Sequence, residues 1–191
     1  AASKVIYHSL YDVLVMLKLA IQEGRLPSKV RLLQLDEVLI QVQRYLEEMS
    51  ISENEADQQR LMAMLRLMVY LRVLRSDLEN ITLAKEIRTQ PAIYQVGLDF
   101  VQILDEHLKE VDDFDVYKHV LSLHTELSNL KKWTEDQRAE NREKVLQYTS
   151  VNQLNAATGL ELLAAQRWLD RVIAHAQRLA NVLVENSRKP S

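Results

Sequence analysis

Leu71-Arg-Val-Leu-Arg-Ser-Asp-Leu-Glu-Asn-Ile-Thr-Leu-Ala84 and Leu162-Leu-Ala-Ala-Gln-Arg-Trp-Leu-Asp-Arg-Val-Ile-Ala-His175 read as two copies of one helix. Glu79 and Asp170 are 91 positions apart (170 − 79), and the same offset sets Leu71 on Leu162, Leu78 on Leu169 and Ile81 on Val172. A repeat of this length implies one supersecondary unit present twice, with the two copies packed together. The start of the second copy agrees: Ile93-Tyr94 matches Ile6-Tyr7 at an offset of 87 (94 − 7).

Punctuation around this pair divides the chain into six expected helices. The first runs from about Ser3 to Glu23, with Val5, Leu10, Val13, Leu14, Leu17 and Ile21 at helical spacing and Gly24 as its stop. Pro27-Ser28 opens a second, about 28–49, with Leu32, Leu33, Val38, Leu39 and Val42 turned inward. Ser52-Glu-Asn-Glu55 has the form of a capping box and opens a third, carried to about Arg88. Its seam of Met64, Leu67, Leu71, Leu74, Leu78 and Ile81 alternates by three and four, as in a packed bundle. Met62 and Met68 are read as core with Met64.

Thr89-Gln-Pro91 opens the second repeat, with Pro at the first helical position. The fourth helix spans about 91–111 and Val111-Asp-Asp-Phe-Asp115 is the turn. The fifth runs from about 114 to 148, with a break expected near Trp133-Thr134 and a new cap at Thr134. Ser150 caps the sixth, about 151–187, whose face is Leu162, Ala165, Leu169, Val172, Ala176 and Leu179. Gly159 within it marks a close helix–helix contact, since a mid-helix Gly costs about 1 kcal/mol against Ala. The fraying tail is Ser187-Arg-Lys-Pro-Ser191. The fold expected is all-α: two tandem antiparallel three-helix bundles, 1–89 and 90–191, related by a pseudo-twofold axis.

Composition excludes several chemistries. The 191 residues contain no Cys, so there is no disulfide, thiol nucleophile or thiolate metal site. Only 3 Gly occur, and neither a dinucleotide fingerprint nor a Walker loop is present. Net charge is −3, which gives no electrostatic grip on nucleic acid. No uninterrupted apolar run reaches the ~18 residues of a membrane span, and no secretory signal is recognisable. Acidic runs at Glu53-Asn-Glu-Ala-Asp57 and Asp112-Asp-Phe-Asp115 begin helices, where they compensate the dipole. With no nucleophile elbow and no oriented Ser–His pair, no catalytic activity is expected.

The segments Leu78-Glu79-Asn80-Ile81 and Trp168-Leu169-Asp170-Arg171-Val172-Ile173-Ala174-His175-Ala176 resemble the signature of PhoU-like domains, which recurs once per repeat. That resemblance implies two three-helix bundles and a role in phosphate regulation. It points to the cytoplasmic tail of a bacterial sodium/phosphate cotransporter-like membrane protein, with the membrane part preceding Ala1. The alternative it leaves open is a stand-alone phosphate-signalling adaptor that docks on a separate transporter or sensor kinase. A helical scaffold unrelated to phosphate is the reading that would hold without the duplication. The implied partner is a membrane transport domain, with weak self-association, no membrane insertion of this segment, no cofactor, and a place at the cytoplasmic face of the inner membrane.

The signature carries a second carboxylate four residues after the first, a pairing able to hold a hard cation. Here Leu83 follows Glu79 and Ala174 follows Asp170, so no tightly bound metal is expected at either copy. The residues nominated for interaction are Arg75, Glu79, Asn80, Asp170, Arg171 and His175. Ordinary helix-face pairing would join Glu79 to Arg75, and Asp170 to Arg167 or Arg171. Arg60, Arg66, Arg72 and Arg75 are read as surface cations. His107, beside Asp105, Glu106 and Glu110, is read as part of a solvated acidic face, and His119 and His124 are spaced too far to share one.

Overall fold

The computed structural model describes residues 2–49, 53–110 and 117–188. The cap expected at Ser52, the turn at 111–115 and the end of the tail lie outside them. The protein is all-α, and no strand occurs among the described residues.

Helix α1 (Ala2–Glu23) is the apolar centre of the N-terminal half. It is long and apolar enough by composition to cross a membrane, although Lys4, Asp12 and Lys18 interrupt it. Here Ile6, Leu10, Val13, Leu17 and Ile21 are buried, against α3 (Glu55–Asp77) and α5 (Pro91–His107). Gly24 stops α1 at φ +68°, a conformation that Gly adopts without a Cβ clash. Ser28 then caps α2 (Lys29–Glu48) by accepting from Arg31 N at 3.2 Å. The inward set of α2 is Leu35, Leu39, Val42 and Leu46. Leu33 was expected inside but is 66% exposed, because α2 presents only one narrow stripe and Leu33 lies off it.

Asn54 is the observed cap of α3, accepting from Ala56 N at 2.9 Å. Met68 is buried and Met64 half-buried, whereas Met62 is exposed, a correction to its assignment as core. The expected single helix to Arg88 is interrupted. A 3₁₀ segment follows α3 over Leu78–Leu83, with Asn80 off helical geometry at φ −103° and ψ 20°, before the short α4 (Ala84–Ile87). Asn and Thr side chains compete for backbone partners, which makes Asn80-Ile81-Thr82 a weak place in a helix. The interruption keeps Leu78, Ile81, Ala84 and Ile87 buried.

Gln90 caps α5, accepting from Ile93 N at 2.8 Å, with Pro91 at the first position. The expected fifth helix is two: α6 (Tyr117–Asp136) and α7 (Arg138–Val151), parted at Gln137. The break falls close to its expected place, but Thr134 is buried and bonds back to Lys131 O rather than capping. The cap of α8 (Ala156–Ser187) is Asn155, accepting from Thr158 N at 2.8 Å, not Ser150; Gln153 turns the chain at φ 52°. All six residues expected on the inward face of this last helix are buried.

Helix α8 is the spine of the molecule. Its main neighbours are α6 and α3, with α7 along one flank, while α1 packs on α5. Gly159 makes the close approach expected of it. A Cβ there would stand 2.9 Å from Thr149 Cγ2 on α7.

Candidate functional site

Three of the nominated residues, Asp170, Arg171 and His175, lie on α8 and fall into two places on different sides of the helix. The first is centred on Asp77, the last residue of α3. It follows Leu74 by three and precedes Ile81 by four, so the helix turns it toward the core, where only 4% of its side chain is exposed. A carboxylate buried this far needs partners. His175 Nδ1 lies 2.6 Å from Oδ2, and Arg171 Nε lies 3.4 Å from Oδ1. The fully buried Trp168 donates its indole N–H to the Asp77 backbone oxygen at 2.9 Å. Trp168, Arg171 and His175 are spaced by three and four, one stripe of α8. Three residues of α8 thus hold one residue of α3.

The second place is a groove of about 660 Å³ where the α6–α7 break meets α8. Asp170 sits in it, two residues and more than half a turn around α8 from Trp168. Arg138 Nε approaches Asp170 Oδ2 at 3.9 Å, a contact between a half-buried carboxylate and an exposed guanidinium. Burial pushes the Asp170 carboxyl up from its ordinary 3.8 to about 6; Arg138 opposes the rise and Glu135 adds to it. Gln166, one turn back on α8, is 8% exposed and has no hydrogen-bond partner among the described residues. The repeat flagged Asp170 but gave no hint of this groove, whose other walls come from unrelated sequence.

Arg171 and His175 are therefore brought together, while the other nominated residues stand apart. Arg75 reaches α2, where Nε and Nη2 make a fork on Asp36 at 2.7 and 2.9 Å. It is not available to Glu79, and the expected helix-face pair is absent. Asp170 likewise pairs with Arg138 rather than Arg167 or Arg171. Glu79 and Asn80 are exposed on the 3₁₀ segment, and Glu79 makes no ion pair among the described residues. The motif carboxylates Glu79 and Asp170 each follow a core-contact residue by two, which turns both away from the α3–α8 contact. Leu83 and Ala174 are half-buried.

Two further polar groups lie on α6. His107 Nε2 is 2.6 Å from Glu126 Oε2, with Glu106 close enough for the three to share a cation. His107 thus belongs to a contact between α5 and α6, where the sequence suggested an open acidic face. His124 and Ser128 face each other at 3.5 Å, with Gln177 donating to Ser128 Oγ at 3.2 Å. That Ser–His distance is beyond a working hydrogen bond, and among the described residues no carboxylate is paired with His124 to orient it.

Comparison with known proteins finds no family model, no curated protein and no solved structure that matches this chain.

Proposed function

We propose that this chain is a PhoU-like domain with two tandem three-helix repeats, serving as the non-catalytic cytoplasmic regulatory domain of a sodium-dependent phosphate cotransporter-like membrane protein. The observation that carries the reading is the contact between Asp77 and Trp168. These two residues are 91 positions apart (168 − 77), the same offset that relates the two copies of the motif. Equivalent residues in a twofold arrangement can touch only at the axis. A further support is that equivalent helices pack on each other: α1 on α5, and α3 on α8.

A domain of this kind acts by docking. Its long helices offer rigid faces, and no oriented nucleophile–base pair is formed among the described residues. The coding sequence upstream of Ala1 tests the reading. Several in-frame apolar segments of membrane-spanning length are expected there. A start codon immediately before Ala1 would overturn the tail and leave the stand-alone adaptor.

A further inference from the structure

The groove beside Asp170 holds charges that do not cancel within the protein. Arg142 on α7 and Arg167 on α8 line it, and neither makes an ion pair among the described residues. Among the described residues, Asp170 has only the 3.9 Å ion pair with Arg138, and Asp136 at the end of α6 has no cation partner. The floor is Gln166, whose side chain is mostly buried while its amide reaches the groove, and Leu163 and Leu146 supply an apolar wall.

Charge decides the ligand class. The lining carries carboxylates at Glu135, Asp136, Glu143 and Asp170 against guanidiniums at Arg138, Arg142 and Arg167. A simple anion is repelled by the first set and a simple cation by the second. Arg138 and Asp170 meet at one level of the groove, and Arg142 lies further along it. The Arg138–Asp170 and Thr149–Gly159 contacts fix α7 and α8 antiparallel in one register. That register sets Arg142 opposite Gln166, about one helical turn (~6 Å along the helix axis) from the level of Asp170. Charge-assisted hydrogen bonds of about 2.8 Å at each end let a molecule only a few bonds long bridge this distance.

We propose that this groove binds a small zwitterion of the α-amino-acid class, its ammonium on Asp170 and its carboxylate on Arg142 and Arg167, over the amide of Gln166. The side chain of the ligand lies along Leu163 and Leu146. A cavity of about 660 Å³ is within the usual range for small-molecule sites. This inference is independent of the phosphate-transport reading and stands or falls separately from it.

The test is calorimetric titration of the full 191-residue chain with each common L-α-amino acid. For every binder, its N-acetyl derivative lacks the ammonium and its methyl ester lacks the carboxylate. At least one amino acid is expected to bind below about 1 mM, with both blocked derivatives at least about tenfold weaker. Asp170→Asn and Arg142→Gln should each weaken binding at least about tenfold, with the far-UV dichroism unchanged. If Asp170→Asn disturbs the fold, the exposed Arg142→Gln still decides. No heat from any amino acid at about 10 mM, a blocked derivative that binds equally well, or full binding in Arg142→Gln overturns the proposal.

Discussion

Trp168→Phe probes the contact that carries the proposed repeat. The indole is fully buried and its N–H bonds to the Asp77 backbone oxygen at 2.9 Å. Phe keeps the aromatic packing but cannot donate. Loss of a buried hydrogen bond costs about 1 kcal/mol or somewhat more. The smaller ring leaves on the order of 40 Å³, and about 24 cal/mol per Å³ of cavity adds roughly 1 kcal/mol. The sum is about 2–3 kcal/mol. For a chain of this size that lowers Tm by roughly 5–10 °C. Urea unfolding followed by far-UV dichroism at 222 nm avoids the change in fluorescence that the substitution itself causes. Trp133→Phe, at a site 47% exposed, is the control and should change stability by less than about 0.5 kcal/mol. A loss below about 0.5 kcal/mol for Trp168→Phe would mean that the bond to Asp77 and the packing around it are not made.

Three more outcomes follow from particular side chains. Asp77→Ala removes the acceptor shared by His175 and Arg171 and should cost roughly 2–3 kcal/mol by chemical denaturation; a neutral result would contradict the buried cluster. Asp170→Asn should stabilise the protein at pH 7 and lose that advantage near pH 4. The folded carboxyl titrates near 6, above its unfolded value of 3.8, so the native state binds the extra proton and wild-type stability falls as pH rises between the two. Because the groove is open to water, the gain is on the order of 1 kcal/mol, read from parallel melts at the two pH values. Gly97→Val should destabilise by roughly 3 kcal/mol, since even a Cβ there stands 2.8 Å from Ile21 Cγ2 where α5 crosses α1; unchanged Tm would refute that close approach.

The helices were legible because this chain punctuates them: Gly24, Pro27-Ser28 and Pro91 each act within one or two residues of where they stand. Caps were less so. Asn155 competes with Ser150 as a start for α8, and both residue types cap well; the turn at Gln153 decides between them. The 3₁₀ break after Asp77 was missed because the apolar seam continues through it. At the site, the repeat pointed to Arg171 and His175 but passed over Asp77, which joins them. A charged residue flanked at three and four by Leu74 and Ile81 was the available signal. Helix-face arithmetic also misassigned the ion pairs, since Arg75 and Asp170 find partners on α2 and α7 that no local spacing reveals.

Phosphate uptake in the native host tests the proposed role most directly. Residues 1–191 are deleted from the gene, membrane insertion of the remaining product is verified, and uptake of radiolabelled phosphate is followed at high and low external phosphate. The regulatory reading predicts that insertion is retained and that flux, or its response to external phosphate, changes. Identical uptake at both concentrations with insertion retained would contradict it.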